Sequence, residues 1–166
     1  LPAQQSSLVL TGISRPNDLF PTGSNSNARS IELYVVEDIP DLSVYGFATS
    51  NENLAGGQSN GPIQFASDFW PAGSYIYIAR DAGNFEDLHG FPPNYSSASL
   101  NFYGGDDSGP GPICVIEILY SPGSWDENNL QTIDFWANNS LDYILYGGWA
   151  KRANCYGPNP GPNDWI

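Results

Sequence analysis

A chain of 166 residues that is 40% apolar has the length of one domain and enough apolar material for a sizeable core. Five basic residues stand against 18 acidic ones, a net charge of −13. That balance excludes the basic footprint by which a protein displaces counterions from nucleic-acid phosphate, and it would repel an anionic membrane.

Leu1–Ser7 is polar and reads as an extended lead-in, followed by a first strand at Leu8–Ile13 and an Asn/Pro/Gly/Ser-rich stretch, Ser14–Asn27. Ser30–Glu37 carries the strongest local signal: Ile31, Leu33 and Val35 share one face, and Glu32, Tyr34 and Val36 the other. Asp38–Asp41 turns the chain into a strand at Leu42–Phe47, with Tyr45 opposite the apolar face. Thr49–Gly61 reads as a polar loop closing on Asn60-Gly61, a dipeptide suited to a tight turn. Ile63–Phe65 is a short strand, and Pro71–Gly73 launches Ser74–Ala79, where Tyr75 and Tyr77 face away from Ile76 and Ile78. Asp81–Ser97 reads mostly as loop, Ala98–Tyr103 as a strand, Asp106–Pro112 as a loop and Ile113–Tyr120 as a buried strand. A turn at Ser121–Asn129 leads to a strand at Leu130–Trp136, and one more strand lies beyond Tyr143, before a Gly/Pro-rich end. The reading is all-β, a sandwich of about eight or nine short strands with no helix. With 18 glycines, 14 prolines and no methionine, the composition agrees. No repeat or composition shift marks a second domain, so residues 8–166 form one unit behind the lead-in at 1–7.

No run approaches the roughly 20 apolar residues of a membrane-spanning helix. Export to the extracellular space or cell surface is expected from three clues. The chain begins Leu-Pro-Ala rather than with Met, as if a leader had been removed. Asn94-Tyr-Ser96 and Asn138-Asn-Ser140 match the N-glycosylation pattern, making Asn94 and Asn138 candidate acceptors. Cys114 and Cys155 are the only cysteines, and a lone pair in an exported domain implies one disulfide, closing a loop of about 40 residues.

Several segments, in order and over nearly the whole chain, resemble the lamin-tail domain family, its secreted bacterial members in particular. Ser30–Val35 with Asp41-Leu-Ser43 is similar to that family's opening strand pair, and Ala72–Ala79 to its "AGSYIYIA" strand. Asn84–Phe91 stands where the family carries a Phe/Gly segment, and Asn101–Asp107 resembles its "NGDD" turn. Ile133–Phe135, Gly148–Arg152, Gly157–Asn159 and Asp164–Ile166 resemble its closing strands and tail. After Asp107 the chain departs from the pattern by inserting Ser108–Pro112. The resemblance implies an immunoglobulin-like β-sandwich and an accessory, non-catalytic role.

The candidate chemistry is sparse. His89 is the only histidine, so a Ser-His-Asp triad would need it, and its neighbours Leu88 and Gly90 form no known motif. The carboxylate pairs Glu37-Asp38, Glu86-Asp87, Asp106-Asp107 and Asp126-Glu127 are adjacent in sequence. On a strand adjacent side chains point to opposite faces, which suits neither acid–base nor glycosidase work. Ca²⁺ is the one cofactor to consider, with Asp106, Asp107, Asp126 and Glu127 as candidate ligands in turns. The competing reading is that these acids bond turn backbone. Tyr75, Tyr77 and Trp125 are candidates for a protein interface or for stacking on sugars; against this, tyrosine suits a half-exposed strand in any case. The expectation is therefore an extracellular structural or interaction module, self-assembling or bound to another protein. A glycan-binding module, with or without Ca²⁺, is the alternative, and a hydrolase the third.

Overall fold

The computed structural model describes residues 7–15, 29–52, 59–100, 113–137 and 148–151. They form nine strands in two sheets: β1 (Leu8–Arg15), β2 (Ser30–Val35), β3 (Tyr45–Glu52), β4 (Ser59–Gln64), β5 (Tyr75–Ala79), β6 (Tyr95–Ser96), β7 (Ile113–Tyr120), β8 (Gln131–Ala137) and β9 (Gly148–Lys151). One sheet has the order β6-β5-β2-β1-β9 and the other β4-β3-β7-β8. Pairing is antiparallel except between β5 and β6.

The period-two pattern accounts for the core. Leu8, Leu10 and Ile13 of β1, Ile31, Leu33 and Val35 of β2, and Ile76 and Ile78 of β5 pack in one cluster with Phe47 of β3 and Ile116 and Ile118 of β7. At about 1.5–3 kcal/mol for each fully buried side chain, this cluster is the main favourable term in folding. β1 has a bulge between Leu10 and Gly12, and β9 pairs with it only from Gly12 onward. At the bulge the second sheet supplies an acceptor: buried Asp134 of β8 takes the Leu10 N–H on Oδ2 at 2.8 Å. A carboxylate thus satisfies a buried amide and ties the two sheets there.

Four local expectations are corrected. Ala82–His89 is an α-helix, α1, inside the stretch read as loop. Asp81 caps it by accepting from Asn84 N–H, and Gly90 ends it at φ 79° with its N–H on Glu86 O. Leu42–Val44 is a 3₁₀ turn capped by Asp41, not strand, so the alternation begins at Tyr45. Tyr45 consequently faces the core at 8% exposure, its ring 5.1 Å from that of Tyr120. Asn60-Gly61 lies inside β4 instead of turning the chain, because β4 pairs with β3 across a bulge that keeps the strands together to Ser50 and Ser59. Ala98 and Ser99 form a turn rather than a strand, held by Thr49 Oγ1 donating to Ser99 O at 3.1 Å. At the N-terminus, Ser7 is docked: its carbonyl accepts from Val36 N–H at 2.9 Å. Residues 1–6 lie outside the described residues. No described helix is long and apolar enough to cross a membrane.

Candidate functional site

The outer face of the five-stranded sheet carries the most distinctive surface. On β2 and β5 the residues between the core positions pair across strands, Tyr34 with Tyr75 and Glu32 with Tyr77. The rings of Tyr34 and Tyr75 lie 5.1 Å apart at 54°. Helix α1 covers the neighbouring part of the face. Its Phe85 is fully buried there, 6.0 Å from the ring of Tyr77, and it stands outside the main core cluster. Phe91, just past the helix, meets Tyr77 edge-on at 5.2 Å and Phe85 at 5.4 Å. Such tilted and edge-on pairs match the electrostatics of aromatic rings. The face thus carries two groups of rings, Tyr34 with Tyr75 and Tyr77 with Phe85 and Phe91, each with an open member: Tyr75 is 49% exposed and Phe91 41%.

Electrostatics follow from the cover. Glu32 is buried on this face and accepts from Thr11 Oγ1 at 3.0 Å. Burial, then the charge of Glu32 and a hydrogen bond to it, push the Tyr77 phenol up to about 12. His89 ends α1 with its ring 4.4 Å from Phe85, and burial there lowers its pKa, favouring the neutral imidazole. Exposed acids Asp81, Glu86 and Asp87 border the helix.

A second aromatic group joins β6 to the segment that follows β4. Tyr95 of β6 donates from its hydroxyl to Asp68 Oδ2 at 2.7 Å and accepts from Trp70 Nε1 at 3.2 Å. Its ring stacks on Phe65 at 5.9 Å, and burial together with Asp68 raises its pKa to about 12. Trp70 is bridged to Ile39, which fixes the loop and leaves Phe69 61% exposed beside it.

The residues singled out from sequence do not form one site. Tyr75 and Tyr77 share the outer face of the five-stranded sheet, with Tyr75 open and Tyr77 half-buried under Phe91 and Phe85. Trp125 lies in the connection between β7 and β8 and folds back over Gly46 of β3. Asp126 caps a 3₁₀ turn at Glu127–Asn129, its Oδ1 accepting from Asn128 N–H at 3.0 Å and from Asn128 Nδ2 at 3.2 Å; Glu127 is exposed. Among the described residues no group of three or more His, Cys, Asp or Glu could hold a metal ion. Asp106, Asp107, Asn138 and Cys155 lie outside the described residues; of Cys114 only the backbone is described, on β7 opposite Asn51. Asn94 is exposed at the β5 edge. Phe85, Phe91, Phe69, Trp70 and Tyr95 were not anticipated, because their grouping depends on α1 and on a loop returning to the sheet. The one sequence signal for the helix was Asp81 placed before it and Gly90 after it.

No protein-family model matches the chain, and no curated protein matches it.

Proposed function

We propose that this β-sandwich is a non-catalytic, extracellular interaction module of lamin-tail, immunoglobulin-like type that associates with copies of itself through the outer face of its five-stranded sheet. The carrying observation is the pair of open rings on one sheet face, Tyr75 and Phe91, set against the half-buried Tyr34 and Tyr77. Large rings already positioned by neighbours lose little entropy on binding, and such residues supply hot spots of about 2 kcal/mol or more. The two sequons and the cysteine pair support the extracellular setting. A net charge of −13 opposes casual contact between copies, so the association strengthens as salt screens it.

Sedimentation velocity over a concentration and salt series tests this reading. Tyr75→Ser with Phe91→Ser should weaken association by at least about thirtyfold, the equivalent of one 2 kcal/mol hot spot. Protein made in a host that adds no N-linked glycan, if it remains monomeric at every concentration and salt, refutes it. Glycan binding, with or without Ca²⁺, is a second reading drawn from the half-exposed Tyr75 ring, which offers a surface on which a sugar can stack. A glycan array that responds to wild type and not to Tyr75→Ser, with no change in sedimentation, would favour it.

A further inference from the structure

Asn94 is bound to the sheet twice. Its main-chain N–H donates to Tyr77 O at 2.9 Å, and its side-chain Oδ1 accepts from Tyr77 N–H at 2.7 Å. A backbone N–H can only donate, so the carboxamide oxygen is fixed on Tyr77 and Nδ2 points elsewhere, on a residue exposed to solvent. β6 begins at the next residue and is only two residues long, pairing with Ile78 and Ala79. Among the described residues, Asn94 therefore stands where the cover of the β5 edge ends and the strand continues to open Tyr75. Ser96, the third residue of the acceptor sequence, is also exposed.

We infer that Asn94 carries an N-linked glycan, and that this glycan closes the open end of the β5 edge and screens the open rings from a partner. The screening rests on the association proposed above; the modification does not. In the transfer, Nδ2 forms a bond to C1 of the first sugar of a lipid-pyrophosphate-linked oligosaccharide. The C1–O bond to pyrophosphate breaks, the lipid pyrophosphate leaves with the electron pair, and one Nδ2 proton passes to a base of the transferase. Oδ1 takes no part, so the glycosylated side chain keeps its bond to Tyr77 N–H and the fold holds the sugar without rearrangement. Exposed edges are places that proteins commonly cover or blunt, and a bulky hydrophilic chain does both.

The test is to secrete the whole chain from a eukaryotic culture behind a leader peptide, and to map its peptides by mass spectrometry. An oligosaccharide mass is expected on Asn94, removed by peptide N-glycosidase and lost in Ser96→Ala, which leaves both Asn94–Tyr77 bonds in place. The unglycosylated Ser96→Ala protein is expected to sediment as larger species than wild type. An unmodified Asn94 in folded, secreted protein overturns the inference. Occupied Asn94 with equal sedimentation of wild type and Ser96→Ala, while Tyr75→Ser weakens association, overturns the screening. If Tyr75→Ser also changes nothing, the association reading fails and the screening with it, and occupancy alone decides the site.

Discussion

Replacing Gly46 with alanine adds one methyl group at a close approach of chain to chain on the four-stranded sheet. A Cβ built there overlaps the carbonyl oxygen of Ile63 and Cη2 of Trp125, and it lies 2.8 Å from Trp125 Cζ3. Carbon atoms in ordinary contact stand about 3.5–4.0 Å apart, so the indole would have to retreat by about 1 Å. The two obstacles differ in kind. Trp125 is a half-buried side chain in the connection between β7 and β8, whereas the Ile63 carbonyl belongs to β4, paired to β3 at Phe47. Gly46 does not have a positive φ, so its backbone accepts an L side chain. On backbone entropy alone, Gly→Ala would stabilise by about 0.4–1 kcal/mol. Overpacking costs about 1–3 kcal/mol, and the main-chain obstacle favours the upper half of that range. The net expectation is a destabilisation of about 1–2.5 kcal/mol, or roughly 2–10 °C in Tm for a chain of this size. Urea titration followed by tryptophan fluorescence and by circular dichroism measures it. Trp125→Ala in the same background should recover part of the loss and no more, because the Ile63 carbonyl remains. A Gly46→Ala protein as stable as wild type, or more so, would refute the close approach of Trp125 and β4 to this position.

Three further outcomes follow from single groups. Asp134→Ala leaves the Leu10 N–H without its acceptor and should cost about 1–3 kcal/mol, with faster hydrogen exchange at the Leu10 amide as the local signature. Tyr77 and Tyr95 have pKa values raised from 10 to about 12, so between these pH values the unfolded chain has released protons that the folded chain still holds. Their contribution is complete below pH 10 and is lost as pH rises through about 12; urea midpoints should fall across that window, and less steeply in Tyr77→Phe. Burial lowers the His89 pKa, so the unfolded chain takes up its proton first as pH falls below 6.5. The neutral ring's contribution is present above that value and declines below it, a slope that His89→Gln should reduce in melts at pH 5 to 7.

The strands buried on one face were legible because the period of two is strict there: Ile31, Leu33 and Val35 alternate with Glu32 and Tyr34, and Ile76 and Ile78 with Tyr75 and Tyr77. The same alternation placed Tyr75 and Tyr77 on the outer face before any partner for them was known. What failed was local chemistry overridden from a distance. Asn60-Gly61 is a turn dipeptide by intrinsic preference, yet its segment is drawn into β4 by pairing with Thr49 and Ser50. Helix α1 has only eight residues, Gly83 and Asn84 among them, and buries just Phe85, so it offers no apolar period to detect. Alternation counted from Leu42 points Tyr45 outward; a 3₁₀ turn shifts the strand's start and reverses the face. Trp125 sits in a polar turn, and nothing local reveals that Gly46, far earlier in the chain, leaves room for its ring.

The position of α1 explains why a solvated sheet face would retain open aromatic rings. An outer face in an antiparallel sandwich is ordinarily polar, since nothing covers it. Here the helix brings Phe85 down onto Tyr77, and with that patch dry Glu32 can be held by Thr11 away from water. Phe91 then borders the covered pair Tyr77 and Phe85, while Tyr34 and Tyr75 lean on each other on the same face. A partner meeting Tyr75 and Phe91 would extend existing ring groups instead of founding a new one, and needs to order few additional side chains. The acids on α1 remain in solvent beside those rings and set a charge condition on whatever docks there. Self-association must satisfy this condition by screening, which is why its salt dependence separates it from binding to a cationic partner: contact between copies strengthens as salt rises, whereas attraction to a basic protein weakens.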